Sequence, residues 1–175
     1  MKTILAALLL LGSNALGSNL IIEKGPKIKS SLGYSVRWPK DYMGLRDGRD
    51  NGTDTVVAYP QSYKIEFSDM GDIAKIKAHN LVVMNVYPNP SKTLQELTSQ
   101  AASGLKQSGQ KFSISTVSCR LGSASVIRIL SGPGSVTVLA VGKNASYEFI
   151  AGSYHQPLKT MLQSVVETPP DRAHR

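Results

Sequence analysis

Cysteine is almost absent from this 175-residue chain: Cys119 stands alone, so no intramolecular disulfide can form. A secreted chain of this length can bury an adequate core without one. With no histidine near it in sequence, the Cys119 thiol reads as a small hydrophobe at a strand end rather than as a nucleophile. Histidine is scarce as well. His79, His155 and His174 are scattered, and no His-x-x-x-His or paired-cysteine spacing exists, which removes the usual zinc patterns. There is no Gly-x-Ser-x-Gly elbow, no phosphate-cradling Gly-Lys-Ser/Thr and no dinucleotide fingerprint. The 12 acidic residues form no convincing acid/base pair. Asp47, Asp50, Asn51 and Asp54 resemble a calcium loop in composition, but Arg49 occupies a ligand position and no closing glutamate follows, so a solvated turn is expected. The sequence therefore predicts a protein that is not an enzyme, with no catalytic residue, no cofactor and no metal.

Also missing is any apolar run long enough to span a bilayer. The first 17 residues instead read as a secretory signal peptide: Lys2, a short leucine-rich core, then small residues suited to cleavage after Ala15 or Gly17. No cysteine follows that core, so lipoprotein processing is not expected, and the mature chain is placed in the periplasm or outside the cell. Basic residues outnumber acidic ones, giving a net charge of +8 for the whole chain. The cations form no dense stripe interleaved with stacking rings, which argues against nucleic acid. An anionic counterpart is expected, whether phospholipid headgroups, an envelope polymer or an acidic protein, and the expected partner is a protein of the envelope or secretion machinery.

The most legible structure lies from Phe112 to Val166. Ser125–Leu130, Ser135–Val141 and Tyr147–Ala151 read as antiparallel strands linked by Ser131-Gly-Pro-Gly134 and Gly142-Lys-Asn144. After Ser153 the period lengthens to that of a helix, with Leu158, Met161, Leu162, Val165 and Val166 on one face and Pro157 in the first turn. Tyr147, Phe149, Met161 and Val165 are the expected core. Earlier in the chain, Leu32–Pro39 alternates as a half-buried strand, Lys40–Asp54 reads as an exposed loop, and Thr55–Tyr59 and Tyr63–Phe67 read as two strands. Leu81–Tyr87 has the nearly continuous apolar run of a central strand. Thr93-Leu-Gln-Glu96 is a capping box opening a helix that ends near Gly109. Together these predict an α+β fold, an antiparallel sheet of about six or seven strands flanked by two main helices. The expected organisation is a signal peptide (1–17), a basic lead-in (18–30), a single domain (31–168) and a polar tail (169–175).

The strand Tyr34-Ser-Val-Arg-Trp-Pro39, the proline-stopped strand before Ser91-Lys-Thr-Leu-Gln-Glu-Leu97, the strand Tyr147–Ser153 and the helix Leu158–Val166 resemble the PsbP-like family. Its fold is shared by an extrinsic photosystem II protein and a Ran-binding nuclear-import factor. The family's usual tryptophan beyond the proline is replaced here by Tyr42. The resemblance implies an α/β/α sandwich and a non-enzymatic binding role, as in bacterial envelope members, and it supplies no functional residue. The candidate partner-binding residues are Arg37, Lys40, Tyr42, Arg46 and Arg49, from the basic first third. Two other functions are open on the same residues: an inhibitor or immunity-type protein acting through the 40–54 loop, and a carrier of lipid or another small ligand between sheet and helix.

Overall fold

A computed structural model describes residues 19–23, 27–48 and 52–169. The expected signal peptide, Arg49 and most of the polar tail lie outside the described residues. Among the described residues eleven strands and three α-helices follow in the order β1 (Asn19–Glu23), β2 (Lys27–Ser30), β3 (Tyr34–Arg37), β4 (Tyr42–Gly48), β5 (Asp54–Pro60), α1 (Ile73–Ala78), β6 (Val82–Pro88), α2 (Leu94–Gln107), β7 (Phe112–Cys119), β8 (Gly122–Ile129), β9 (Ser135–Val141), β10 (Ala145–Ala151), α3 (Gln156–Ser164) and β11 (Val166–Glu167). An eight-stranded antiparallel sheet runs β1-β4-β5-β6-β10-β9-β8-β7, and a second sheet of three strands runs β11-β3-β2. The fold is α+β as expected, with a larger main sheet and a second sheet that the sequence pattern did not reveal. The basic lead-in supplies β1, at one edge of the large sheet where the apolar Leu20-Ile-Ile22 suggests an edge strand, and β2, at one edge of the small sheet.

Period-two alternation sends successive side chains of the large sheet to opposite faces. On one face, Val56, Met84, Val138, Tyr147 and Phe149 meet Leu158, Met161 and Leu162 of α3 and Ile28, Tyr34 and Val36 of the small sheet. All four expected core residues are buried here. On the other face, α1 covers Leu45, Val57, Leu81 and Val83, while α2 covers Ile127 and Leu139. The arrangement is a sandwich with the large sheet in the middle. The helix stripe ends one residue sooner than its period suggests: Val165 is buried, but Val166 turns outward as strand β11.

Two expectations are corrected by this structure. Lys40–Asp54 is not a long loop, because Tyr42–Gly48 is a strand paired with β1 on one side and β5 on the other. Its alternation is disguised. Gly44 stands where a side chain would overlap the Trp38 ring, and Arg46, two residues on, points at Asp54. Tyr63–Phe67 is likewise no strand. It is drawn into a turn and a 3-10 helix, Phe67–Gly71, organised by the buried Asp69. That carboxylate accepts the Tyr63 hydroxyl at 2.7 Å, the Glu66 N–H at 2.8 Å and the Lys75 ammonium at 2.5 Å. Local hydrogen bonds here outweigh the β pattern.

The Lys75 ammonium, with the Glu66 amide and the Tyr63 hydroxyl, lowers the Asp69 pKa to about 2. An unfolded aspartate titrates near about 3.9. The folded value being the lower, Asp69 stabilises the fold above that pH and loses its contribution as the pH falls toward 2. Thermal melts between pH 5 and pH 2 should therefore show a steep loss of Tm for the native chain and a shallower one for Asp69→Asn. Parallel curves would remove Asp69 from the acid transition.

Candidate functional site: the outer face of the small sheet

Strand β2 alternates exposed Lys27 and Lys29 with buried Ile28 and Ser30. Its register against β3 sets Lys27 opposite Arg37 and Lys29 opposite Ser35, and Ser35 in turn faces Val166 of β11. Side chains directly opposite in an antiparallel ladder share a face. The outer face of the small sheet therefore carries a row in which buried Ser35 lies between exposed Lys29 and Val166, with Lys27 and Arg37 one step along the strands. Val166 is 36% exposed, an apolar point among cations.

Beside Val166 the surface sinks into a cleft of about 610 Å³. Arg120 and Leu121 reach it from the β7–β8 turn, Val141, Gly142 and Lys143 from the β9–β10 turn, and Val165, Val166 and Glu167 from the end of the chain's last strand. Its wall is held by Glu167. The carboxylate accepts backbone N–H groups of Lys143 at 2.7 Å, Asn144 at 3.1 Å and Ala145 at 3.1 Å, and the Tyr147 hydroxyl at 3.0 Å. Successive amides of this kind form a ready anion site, filled here from within the chain. Gly142 is required by close approach, since a Cβ would overlap the Glu167 carboxylate. Burial, and then the neighbouring Glu167, push the Tyr147 hydroxyl pKa far up, so it stays a donor.

The structure separates the five residues singled out by sequence. Arg37 is exposed on the outer face, while its backbone N–H and C=O both bond the Ser164 hydroxyl of α3, at 2.8 and 3.0 Å. Lys40 is exposed in the turn before β4, its carbonyl accepting from the Gln61 amide at 3.0 Å. Tyr42 is buried instead, its hydroxyl donating to the Asn80 carbonyl at 3.2 Å. Arg46 is also turned inward, 3.7 Å from Asp54 with its side chain only 16% exposed. Arg49 lies outside the described residues. Tyr42 and Arg46 mislead because reading β4 as a loop implied exposure. Of the cations that sequence reasoning missed at the cleft, Lys143 lies inside the turn Gly142-Lys-Asn144, which reads as scaffold, and Arg120 simply follows the strand end at Cys119. Val166 was missed because it also fits the period of α3.

Buried carboxylates elsewhere have structural partners. Asp54 accepts the Ser30 hydroxyl at 2.5 Å and the Tyr34 hydroxyl at 2.8 Å. Glu148, its pKa raised by burial, accepts from Asn85 at 3.0 Å and Tyr87 at 3.3 Å. In sequence Cys119 with His79 or His155 is the least implausible catalytic pair; of these, Cys119 packs against the α3-side core, while His79 stacks on Tyr63 at 4.1 Å over the α1-side cluster, on the opposite face of the large sheet. His155 stands at the N-cap of α3, yet its side chain makes no capping hydrogen bond. Among the described residues no three His, Cys, Asp or Glu side chains are grouped to hold a metal ion, and no helix is long and apolar enough to cross a membrane.

No family model, curated protein or solved structure matches the chain.

Replacing Glu167 by glutamine swaps an acceptor oxygen for an amide donor facing other donors. Unfolding in urea should reveal a loss of about 1–3 kcal/mol, the usual result of stranding buried donors. An unchanged midpoint would mean that the β9–β10 turn holds its shape without this carboxylate.

Proposed function

We propose that this is an exported, non-enzymatic binding protein of the bacterial envelope that recognises an acidic surface on a protein partner through the outer face of the small sheet and the adjoining cleft. The observation that carries this reading is the continuity of that surface. Val166 belongs both to the row with Ser35 and Lys29 and to the cleft wall, so Lys29 lies across the small sheet from this apolar point, Arg120 and Lys143 line the cleft with it, and Lys27 and Arg37 lie one step along the strands. Cations in such an array favour an acidic partner and speed its approach. A buried apolar centre with a charged rim is the usual anatomy of a protein interface. Export rests on the leader-like first 17 residues.

The same reading keeps the chain with the PsbP-like family, on the order of its elements and on helices lying against both faces of an antiparallel sheet. An inhibitor working through residues 40–54 is less favoured, because Tyr42–Gly48 is paired along both edges. A carrier with its ligand between α3 and the sheet is less favoured too. Tyr147, Phe149, Leu158 and Met161 fill that space, each no more than 1% exposed.

A photo-crosslinking residue at position 166 tests the proposal in the exporting cell, with one at exposed Ser99 on α2 as the control. A discrete protein adduct should form from position 166 and not from 99. It should disappear when Lys29→Glu and Arg37→Glu are combined, and weaken in vitro as salt rises from about 0.05 to 0.5 M. Equal adducts from both positions, or indifference to charge reversal, would overturn this reading.

A further inference from the structure

Among the described residues strand β7 pairs only with β8 and forms one edge of the large sheet. Its eight residues, Phe112 to Cys119, contain no charge and no proline. Sheet edges expose a row of unpaired backbone donors and acceptors, and proteins normally guard them with charge, proline or shortness. Strand β2, at the edge of the small sheet, is guarded by Lys27 and Lys29. Strand β7 is long and has no such guard. Ser113, Ile114, Ser115 and Thr116 are exposed, Ile114 by 43%. Among the described residues its far end is covered, where the Gln163 side chain of α3 donates to the Ser118 carbonyl at 2.7 Å, and the Arg128 guanidinium of β8 donates to the Ser115 hydroxyl at 2.9 Å on one face of its middle.

We infer that the open edge from Phe112 to Val117 is a second docking site, which takes an extended segment of a partner protein as an added strand. Main-chain hydrogen bonds supply the affinity in this mode of recognition. The chemistry of the segment follows from the charges at the edge. Exposed Lys111 and Arg120 stand at its two ends, the strand between them carries no charge of its own, and the Arg128 guanidinium reaches its Ser115 from the face of the sheet rather than from the open edge. The matching strand is uncharged over about six residues and has a carboxylate at each end. A second copy of this chain is a poor match. Full-length antiparallel pairing of β7 with itself sets Lys111 against Arg120 at both ends, with like charges opposed.

This site is separate from the basic outer face, and its test distinguishes the two. The probe is a fluorescein-labelled peptide, acetyl-Asp-Val-Thr-Val-Ser-Val-Thr-Asp-amide, titrated against the full chain by fluorescence polarisation. Saturable binding is expected. N-methylation of one alternate set of peptide amides should weaken it at least about tenfold and methylation of the other set far less, because only one set faces the edge. Lysine at both peptide ends should also weaken it. Ile114→Pro and Ser115→Pro are both made, since proline is tolerated only where the N–H points outward. The variant that keeps the native circular dichroism spectrum should lose binding, while Lys29→Glu with Arg37→Glu should leave it intact. Absence of saturable binding, equal affinity for both N-methylated peptides, or equal affinity for the lysine-ended peptide would overturn the inference. So would a dimer in sedimentation that the folded proline variant dissolves, which would assign the edge to a second copy.

Discussion

The small sheet is held in place by a carboxylate in the interior. Asp54, on β5 of the large sheet, receives the hydroxyls of Ser30 on β2 and Tyr34 on β3 and lies beside the Arg46 guanidinium. Burial, reinforced by Asp54, keeps the Tyr34 hydroxyl pKa well above its ordinary value, so this donor stays protonated. A carboxylate with several donors around it resists removal of any one of them, because each partner left behind is buried and unpaired. Glu167 does the corresponding work at the other side of the same sheet, tying β11 to the β9–β10 turn. The three strands carrying the basic face are thus fastened to the large sheet by one acidic group on each flank. This constraint places Lys29, Ser35 and Val166 in one row.

The same arrangement determines the electrostatics of the surface. Asp54, Asp69 and Glu148 are buried and engaged with internal donors, and Glu167 is turned into the β9–β10 amides. Lys27, Lys29, Arg37, Lys40, Arg120 and Lys143 are all exposed. The outer face and cleft therefore expose cations while these carboxylates turn inward. In the proposed role such a surface would contribute complementarity, with steering from the cations and desolvation at Val166.

What could be read from sequence follows the strength of local signals. The second half was legible: Thr93 with Glu96 really caps α2, Pro157 really opens α3, and the glycine-containing turns really join β8, β9 and β10. Each is a short-range rule, satisfied by residues close in the chain. The first half was legible only in part, because distant partners override its patterns. Gly44 looked like a loop residue, yet it is small because Trp38 lies on it. Arg46 and Asp54 looked solvated, yet each is the other's neighbour across β4 and β5. Tyr63 and Ile65 alternate as a strand would, but Asp69 bends that segment into a turn. The candidate site needs the pairing of β2, β3 and β11, and β11 lies some 130 residues from its partners, beyond the reach of any periodicity. Arg37 and Lys40 carry their charge at exposed positions, whereas Tyr42 and Arg46, which the expected loop would expose, are turned inward on strand β4.

The central claim is that an interior carboxylate holds the basic face in position. Hydrogen exchange with mass spectrometry on the native chain and on Asp54→Asn tests it most directly, because amide protection reports local opening. The account predicts that peptides covering residues 27–37 exchange about tenfold faster or more in the variant, while those of β9 and β10 keep their protection. Unchanged protection across residues 27–37 would contradict it, since the small sheet would then be held without Asp54.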